Sequence, residues 1–143
     1  MTYLPYDPGV VPTKAGPTAG STLRILVTGL PPYKDRSRSI RNRSHKAHGR
    51  FILLRNAAIE AMSGRAWHFG GVRLCLTIYA EAKELERPLV DYLGGVMDTL
   101  DGSSGAPFTF LPIIFEDDCQ VWNAETRLVS AIEKKYEVDI GFD

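Results

Sequence analysis

The sequence lacks the features that would place it in a membrane or in an oxidising compartment. No apolar run reaches the length of about 18 residues that a membrane span needs, and no charged segment precedes an apolar stretch as in a secretion signal. Cysteine is scarce, because Cys75 and Cys119 stand alone without partners at zinc-ligand spacing. We therefore expect a cytoplasmic protein with reduced thiols and no membrane partner.

Net charge is also lacking, but only in the sum over the chain. Residues 1–80 contain twelve Lys and Arg against three acids, and residues 81–143 contain five against fourteen. The basic half favours an anionic partner, whereas the acidic half can hold cations. The length of 143 residues predicts one globular domain, which we place at 22–143 after a flexible Pro- and Gly-rich tail at 1–21.

Hydrophobic periodicity predicts an α+β (mixed α/β) domain with the order β-α-β-α-β-β, a mixed sheet, and both helices on one face. Strand patterns cover Thr22–Thr28, Val72–Tyr79, Val121–Val129 and Lys135–Phe142, and the apolar run Phe108–Phe115 is a candidate for a further strand. Helical patterns run from Lys46 or Gly49 to Met62, where Ser63 and Gly64 end the helix, and from Val90 to Leu100.

The second predicted helix carries two carboxylates opposite its apolar stripe. Asp91 and Asp98 are seven residues apart and therefore almost eclipsed. Gly94 and Gly95 lie between them, although each costs a helix about 1 kcal/mol relative to Ala. Their presence predicts that a bulky group, such as a phosphate backbone, approaches the helix there. The stripe itself consists of Leu93, Val96, Met97 and Leu100.

A second acidic group follows the run that ends at Phe115. Glu116, Asp117 and Asp118 are consecutive, and such charges repel one another unless a cation or a basic ligand neutralises them. A solvated acidic turn is the other interpretation.

Positive charge concentrates in a polar segment from Lys34 to Arg50 that lacks an apolar period. Arg-rich loops of this kind make phosphate contacts, although a solvated loop that balances the acidic half is the alternative. We assign His45 and His48 to the same basic surface. The candidate DNA-binding residues are Lys34, Arg36, Arg38, Arg41, Arg43, Lys46 and Arg50.

Taken in order, these motifs resemble the RusA family of Holliday junction endonucleases. The pattern consists of RP at Arg87, an acid at Asp91, DTLDG from Asp98 and DDCQV from Asp117, and the LPP loop after the first strand supports it. The resemblance covers about Leu23 to Phe142. It implies a homodimer of bacterial or phage origin that binds four-way DNA junctions and cuts them symmetrically with Mg²⁺ or Mn²⁺.

Carried over residue by residue, the resemblance implies Asp91 and Asp118 as metal ligands and Asp117 and Asp98 as further catalytic residues. The chain departs from the family at the same place. Leu89 stands where the family has an acid, Tyr92 near its Asn, and Gly94 or Gly95 at its Lys. Glu86 is a candidate replacement for the missing carboxylate.

Two function classes follow from this comparison. The first is a metal-dependent endonuclease that resolves four-way junctions in DNA recombination and repair. The second is a catalytically weakened or inactive RusA-like module that binds DNA or another protein.

Overall fold

The computed structural model describes residues 11–35, 39–101 and 112–143. In these ranges the four strands begin and end at the residues that the hydrophobic alternation predicts, and the α+β class is confirmed. The order is β1 (Thr22–Thr28), α1 (His48–Met62), β2 (Val72–Tyr79), α2 (Leu89–Leu100), β3 (Val121–Val129) and β4 (Lys135–Phe142).

The strands form one mixed sheet in the order β1-β4-β2-β3. β4 runs antiparallel to both β1 and β2, whereas β2 and β3 are parallel. A parallel pair needs a long crossover connection, and α2 lies in it. Because this helix runs back across the sheet, its last turn returns to the end at which β3 begins.

The sheet is buried on one face only. Along β2, Val72, Leu74, Leu76 and Ile78 are buried and belong to the same core as the apolar residues of both helices. The opposite face is polar and exposed, as a sheet with one solvated face should be. It carries Arg24, Arg73 and Arg127. Both helices therefore pack against one face, as predicted.

Helix α1 ends where its sequence predicts. Ser63 adopts a left-handed backbone conformation with φ 53°, and its N–H donates to the carbonyls of Ile59 and Glu60. Gly64 follows with φ 86°. The predicted core positions of the helix are buried, and Arg55, which is 1% exposed, is buried with them. These positions are Phe51, Leu54, Ala58 and Met62.

Helix α2 is rotated relative to the predicted stripe. Its buried residues are Tyr92, Gly95, Val96, Thr99 and Leu100, whereas Leu93 and Met97 are only partly buried. The rotation turns Gly95 inward, against the loop that follows β1.

A bulky group does approach Gly94 and Gly95, but it is not a phosphate backbone. A Cβ atom on Gly95 would lie 2.7 Å from Tyr33 Cα and closer still to the Pro32 carbonyl. The group that approaches the helix is therefore the chain's own backbone rather than a phosphate backbone. Tyr92 is a core residue whose hydroxyl accepts a hydrogen bond from Glu86 N–H at 2.9 Å.

The segment from Lys34 to Arg50, which we call the basic segment, is folded where the structure describes it. Residues 39–47 form successive turns, in which Ile40 and Ala47 are buried. His45 is 5% exposed, and His48 is half-buried with Nδ1 2.7 Å from the Ile40 carbonyl oxygen. The assignment of these two histidines to a basic surface is therefore wrong.

Two predicted segments lie partly outside the described residues. Of the tail, residues 11–21 are described: Thr13 N–H donates to the Gly64 carbonyl at 2.9 Å and Gly20 N–H to the Phe142 carbonyl at 2.7 Å. Of Phe108–Phe115, residues 112–115 are described, and they make a single bridge between Phe115 and His68. Neither helix of the described chain has the length and hydropathy required to cross a bilayer.

Candidate functional site

Three aspartates converge at the last turn of α2. Asp98, Asp101 and Asp118 each offer a carboxylate oxygen, and these oxygens all lie within 4.8 Å of one another. We call this group the acidic centre. Asp101 is buried at 3% exposure, whereas Asp98 and Asp118 are partly exposed. One carboxylate of the group is therefore buried, and the other two are accessible from solvent.

Helix geometry and a backbone contact bring these residues together. Asp98 and Asp101 are three residues apart at the helix end, a spacing that places side chains on one face. The chain then returns to the helix, because the N–H groups of Ile113 and Ile114 both donate to the Leu100 carbonyl at 3.2 and 3.0 Å. This contact places the turn that carries Asp118 beside the helix end.

The DDCQV motif holds that turn in shape. Gln120 Oε1 accepts from the N–H groups of Glu116 and Asp117 at 2.8 and 3.0 Å, and its Nε2 donates to the carbonyls of His68 and Gly70 at 2.8 and 2.9 Å. One side chain thus ties the turn to the chain before β2. Part of the motif is therefore explained by the structure of this turn, independently of metal binding.

Within this turn the two aspartates have different positions. Asp117 caps the short 3₁₀ helix Asp118–Gln120 by accepting from Cys119 N–H at 3.0 Å, and this bond lowers the pKa of Asp117. Asp118 projects to the acidic centre instead. Its Oδ1 is shielded from solvent and accepts no hydrogen bond from any residue in the described ranges. Such an atom is costly unless a donor or a cation satisfies it.

Among the residues that the structure describes, two cations border the acidic centre. Arg41 Nη2 donates to the carbonyls of Asp98 and Asp101 and lies 3.6 Å from Asp101 Oδ1. Lys34 Nζ lies 3.8 Å from Asp98 Oδ2. Burial raises the pKa of Asp98, the charges of Lys34 and Arg41 oppose that shift, and Asp118 adds to it.

The donor set fits a hard divalent cation. Opposite oxygens on one Mg²⁺, at about 2.1 Å each, are about 4.2 Å apart, so carboxylates within 4.8 Å need only small side-chain adjustments. The unsatisfied Oδ1 of Asp118 is a further point in favour. Asp98, Asp101 and Asp118 are therefore suitable ligands for Mg²⁺ or Mn²⁺.

The expected metal pair, Asp91 and Asp118, is not brought together in this group. Asp91 is in the first turn of α2, about 10 Å along the helix from Asp98, and its carbonyl accepts from Lys34 N–H at 2.9 Å. Among the described residues it belongs to no group of three metal-capable side chains. Glu86 is elsewhere too, because its Oε1 pairs with Arg50 Nη1 at 2.8 Å.

The candidate DNA-binding residues lie in different environments. Arg41 is buried, with a side chain 8% exposed, and its position beside Asp101 makes it structural. Arg50 is 30% exposed and bonded to Glu86, while Lys34, Arg43 and Lys46 are exposed. Arg36 and Arg38 lie outside the described residues. The basic surface is therefore smaller than the count of Lys and Arg suggests.

Sequence reasoning missed Asp101 and the role of Arg41. The signal for Asp101 was available, because it follows Asp98 by three residues at a helix end. No local signal marks Arg41 as the buried partner of Asp101, since the two residues are 60 positions apart. No protein-family model matches the chain, and no curated protein matches it significantly.

Proposed function

We propose that the chain is a metal-dependent endonuclease that cuts branched DNA. The observation that carries the proposal is the acidic centre, in which two carboxylates of the α2 end and one of the turn before β3 lie within 4.8 Å beside cations of the basic segment. A bound Mg²⁺ or Mn²⁺ polarises a phosphate and lowers the pKa of a water. Paired acids and cations at one spot suit phosphodiester hydrolysis better than simple DNA binding.

The chain's own residues have distinct parts in this reaction. Asp98, Asp101 and Asp118 hold the cation, and Arg41 keeps Asp101 in place from the protein side. Lys46 and Arg43, on the exposed surface, are suited to phosphates away from the cut. A water oxygen forms the new bond to phosphorus, the bond to the leaving sugar oxygen breaks, and one proton of the water ends on that oxygen.

The substrate is proposed from the resemblance to the RusA family. A four-way junction presents two equivalent strands, so symmetrical cutting requires two active centres and favours a homodimer with two-fold symmetry. The proposal places the protein in the cytoplasm of a bacterium or phage-infected cell, in DNA recombination and repair. Free Cys75 and Cys119 are compatible with that compartment.

One observation favours the second function class, a DNA-binding or protein-interaction module without catalysis. Lys34 and Arg41 already neutralise part of the acidic centre. If these cations satisfy the carboxylates permanently, no metal is required, and the protein binds branched DNA without cutting it.

A cleavage assay separates the two classes. Synthetic four-way junctions are incubated with Mg²⁺ or Mn²⁺ and either wild type or Asp118→Asn. We expect paired nicks from wild type and a rate at least about 100-fold lower from Asp118→Asn, because catalytic electrostatic groups commonly contribute that much. Glu133→Gln, an exposed acid in the turn after β3, is the charge-matched control and should cut normally.

The contrary result is equally clear. Tight junction binding by wild type, with no cutting in either metal, would exclude the endonuclease and leave the binding module. Equal cutting by wild type and Asp118→Asn would place the chemistry outside the acidic centre.

A further inference from the structure

Lys34 reaches the acidic centre from a loop that is fixed against α2. Its N–H donates to the Asp91 carbonyl at 2.9 Å, and the three residues before it, Pro31, Pro32 and Tyr33, are buried. Its ammonium group lies 3.8 Å from Asp98 Oδ2, yet the side chain is 60% exposed. The backbone of Lys34 is thus anchored while its charge stays accessible.

The two glycines of α2 leave the space in which this lysine and the loop before it pack. The backbone of Pro32 and Tyr33 crosses at Gly95, where any Cβ would collide with it, and a Cβ on Gly94 would lie 3.2 Å from Lys34 Cδ. Glycine costs a helix about 1 kcal/mol relative to Ala. The close approach of this loop explains why glycine is present despite that cost. The approach directs the lysine stem along the helix towards Asp98.

Lys34 and Arg41 differ in what they can still bind. Arg41 is 8% exposed and donates to two carbonyls of the helix end, so its guanidinium cannot reach a ligand without unfolding that end. Lys34 has a flexible stem and three donors, and an ion pair at 3.8 Å between partly exposed groups is weak. A phosphate at the acidic centre can therefore draw the ammonium group away from Asp98.

We propose that Lys34 contacts the scissile phosphate at the acidic centre, and that packing against Gly94 and Gly95 positions this lysine. The inference rests on the proposed endonuclease function. During hydrolysis, charge builds on the phosphate oxygens while the water oxygen bonds to phosphorus and the bond to the leaving sugar oxygen breaks. The ammonium group of Lys34 stabilises that charge and contributes to rate more than to binding.

The test is the single-turnover cleavage rate of Lys34→Met with saturating enzyme and Mg²⁺. Met keeps an unbranched stem on Gly94 and removes the charge. We expect the rate to fall about 100-fold or more, with junction affinity changed less than about threefold, and Lys34→Arg to recover part of the rate. Lys83→Met, an exposed lysine outside the basic segment with a side chain 81% exposed, should cut at the wild-type rate when saturated.

A second readout distinguishes this role from a structural one. Mn²⁺ should raise the melting temperature of Lys34→Met at least as much as that of wild type, because the cation that competes at Asp98 is gone. Loss of the Mn²⁺ response in Lys34→Met would contradict the proposal, since it would make the lysine a support of the metal site.

The possible failures are distinguishable. If wild type and Lys34→Met cut equally fast at saturation, the role of Lys34 is overturned and the endonuclease stands. If wild type cuts in neither metal, the proposed function falls and the role of Lys34 falls with it.

Discussion

Arg41 and Asp101 show how a single buried pair organises the acidic centre. Their side chains are 8% and 4% exposed, and the guanidinium also lies over the Phe51 ring at 5.6 Å. Burial lowers the pKa of Arg41, and Asp101 and Asp98 oppose this shift. The pair holds the end of α2 and the basic segment together, so one arginine of that segment serves the fold rather than DNA.

Replacement of Arg41 should therefore cost stability. Arg41→Met keeps most of the side-chain volume but removes the charge beside Asp101, and we expect a loss of about 3 kcal/mol in the free energy of unfolding. Lys46→Met should change it by less than about 0.5 kcal/mol. Urea unfolding measures both. A loss below about 1 kcal/mol for Arg41→Met would contradict the structural role.

Asp98 should make stability depend on pH in the absence of metal. Burial raises the pKa of Asp98 above its ordinary value of 3.8, so the native state binds this proton more tightly than the unfolded chain. The free energy of unfolding therefore decreases as pH rises through the raised pKa, and it stays lower above that pKa. Asp98→Asn removes this loss of stability, because Asn does not ionise.

Without metal, Asp98→Asn should thus be more stable than wild type at about pH 7, and the gain should shrink as pH falls towards the ordinary carboxyl pKa. Urea unfolding with a chelator, repeated across this range, measures the gain. Glu133→Gln, which removes one exposed negative charge, is the control for the change in net charge. A variant that is less stable than wild type at neutral pH would mean that the ion pair with Lys34 outweighs the burial of Asp98.

At the scale of elements, the contact between α2 and the loop after β1 determines the shape of the site. The loop backbone covers Gly95 and delivers Lys34, while the helix end supplies Asp98 and Asp101. The sequence marks the glycine pair, because glycine is unfavourable in helices. It does not identify the loop that packs there, because a helical wheel shows that a face is bare but not what approaches it.

This contact predicts different outcomes at the two glycines. Gly95→Ala should destabilise the protein by about 2 kcal/mol, since the Cβ meets backbone atoms of Pro32 and Tyr33 and overpacking outweighs the gain in helix propensity. Gly94→Ala meets only the Lys34 side chain, at 3.2 Å from Cδ and 3.3 Å from Cβ, and should cost clearly less than Gly95→Ala because helix propensity offsets the smaller overlap. Thermal unfolding compares them. Equal stability of the two variants would refute the close approach.

At the scale of the whole molecule, local patterns predict the elements and long-range contacts decide the site. Alternation marks all four strands because one sheet face is buried and the other exposed. The pairing of Asp118 with α2 depends on the return of residues 112–118 to Leu100, and the burial of Arg41 depends on a partner 60 residues away. No periodicity in a single segment records such contacts. The sequence therefore indicates Asp98 and Asp118 as site residues, but neither Asp101 nor the grouping of the three.

The acidic centre as one metal site is tested most directly by the melting temperature with and without Mn²⁺. A ligand at 100 times its dissociation constant stabilises the native state by about 2.7 kcal/mol, which corresponds to a rise on the order of 10 °C for a domain of this size. We predict this rise for wild type and for Asp91→Asn, and its loss in Asp98→Asn and Asp118→Asn. A rise that Asp91→Asn abolishes and Asp98→Asn retains would contradict the site described by the structure.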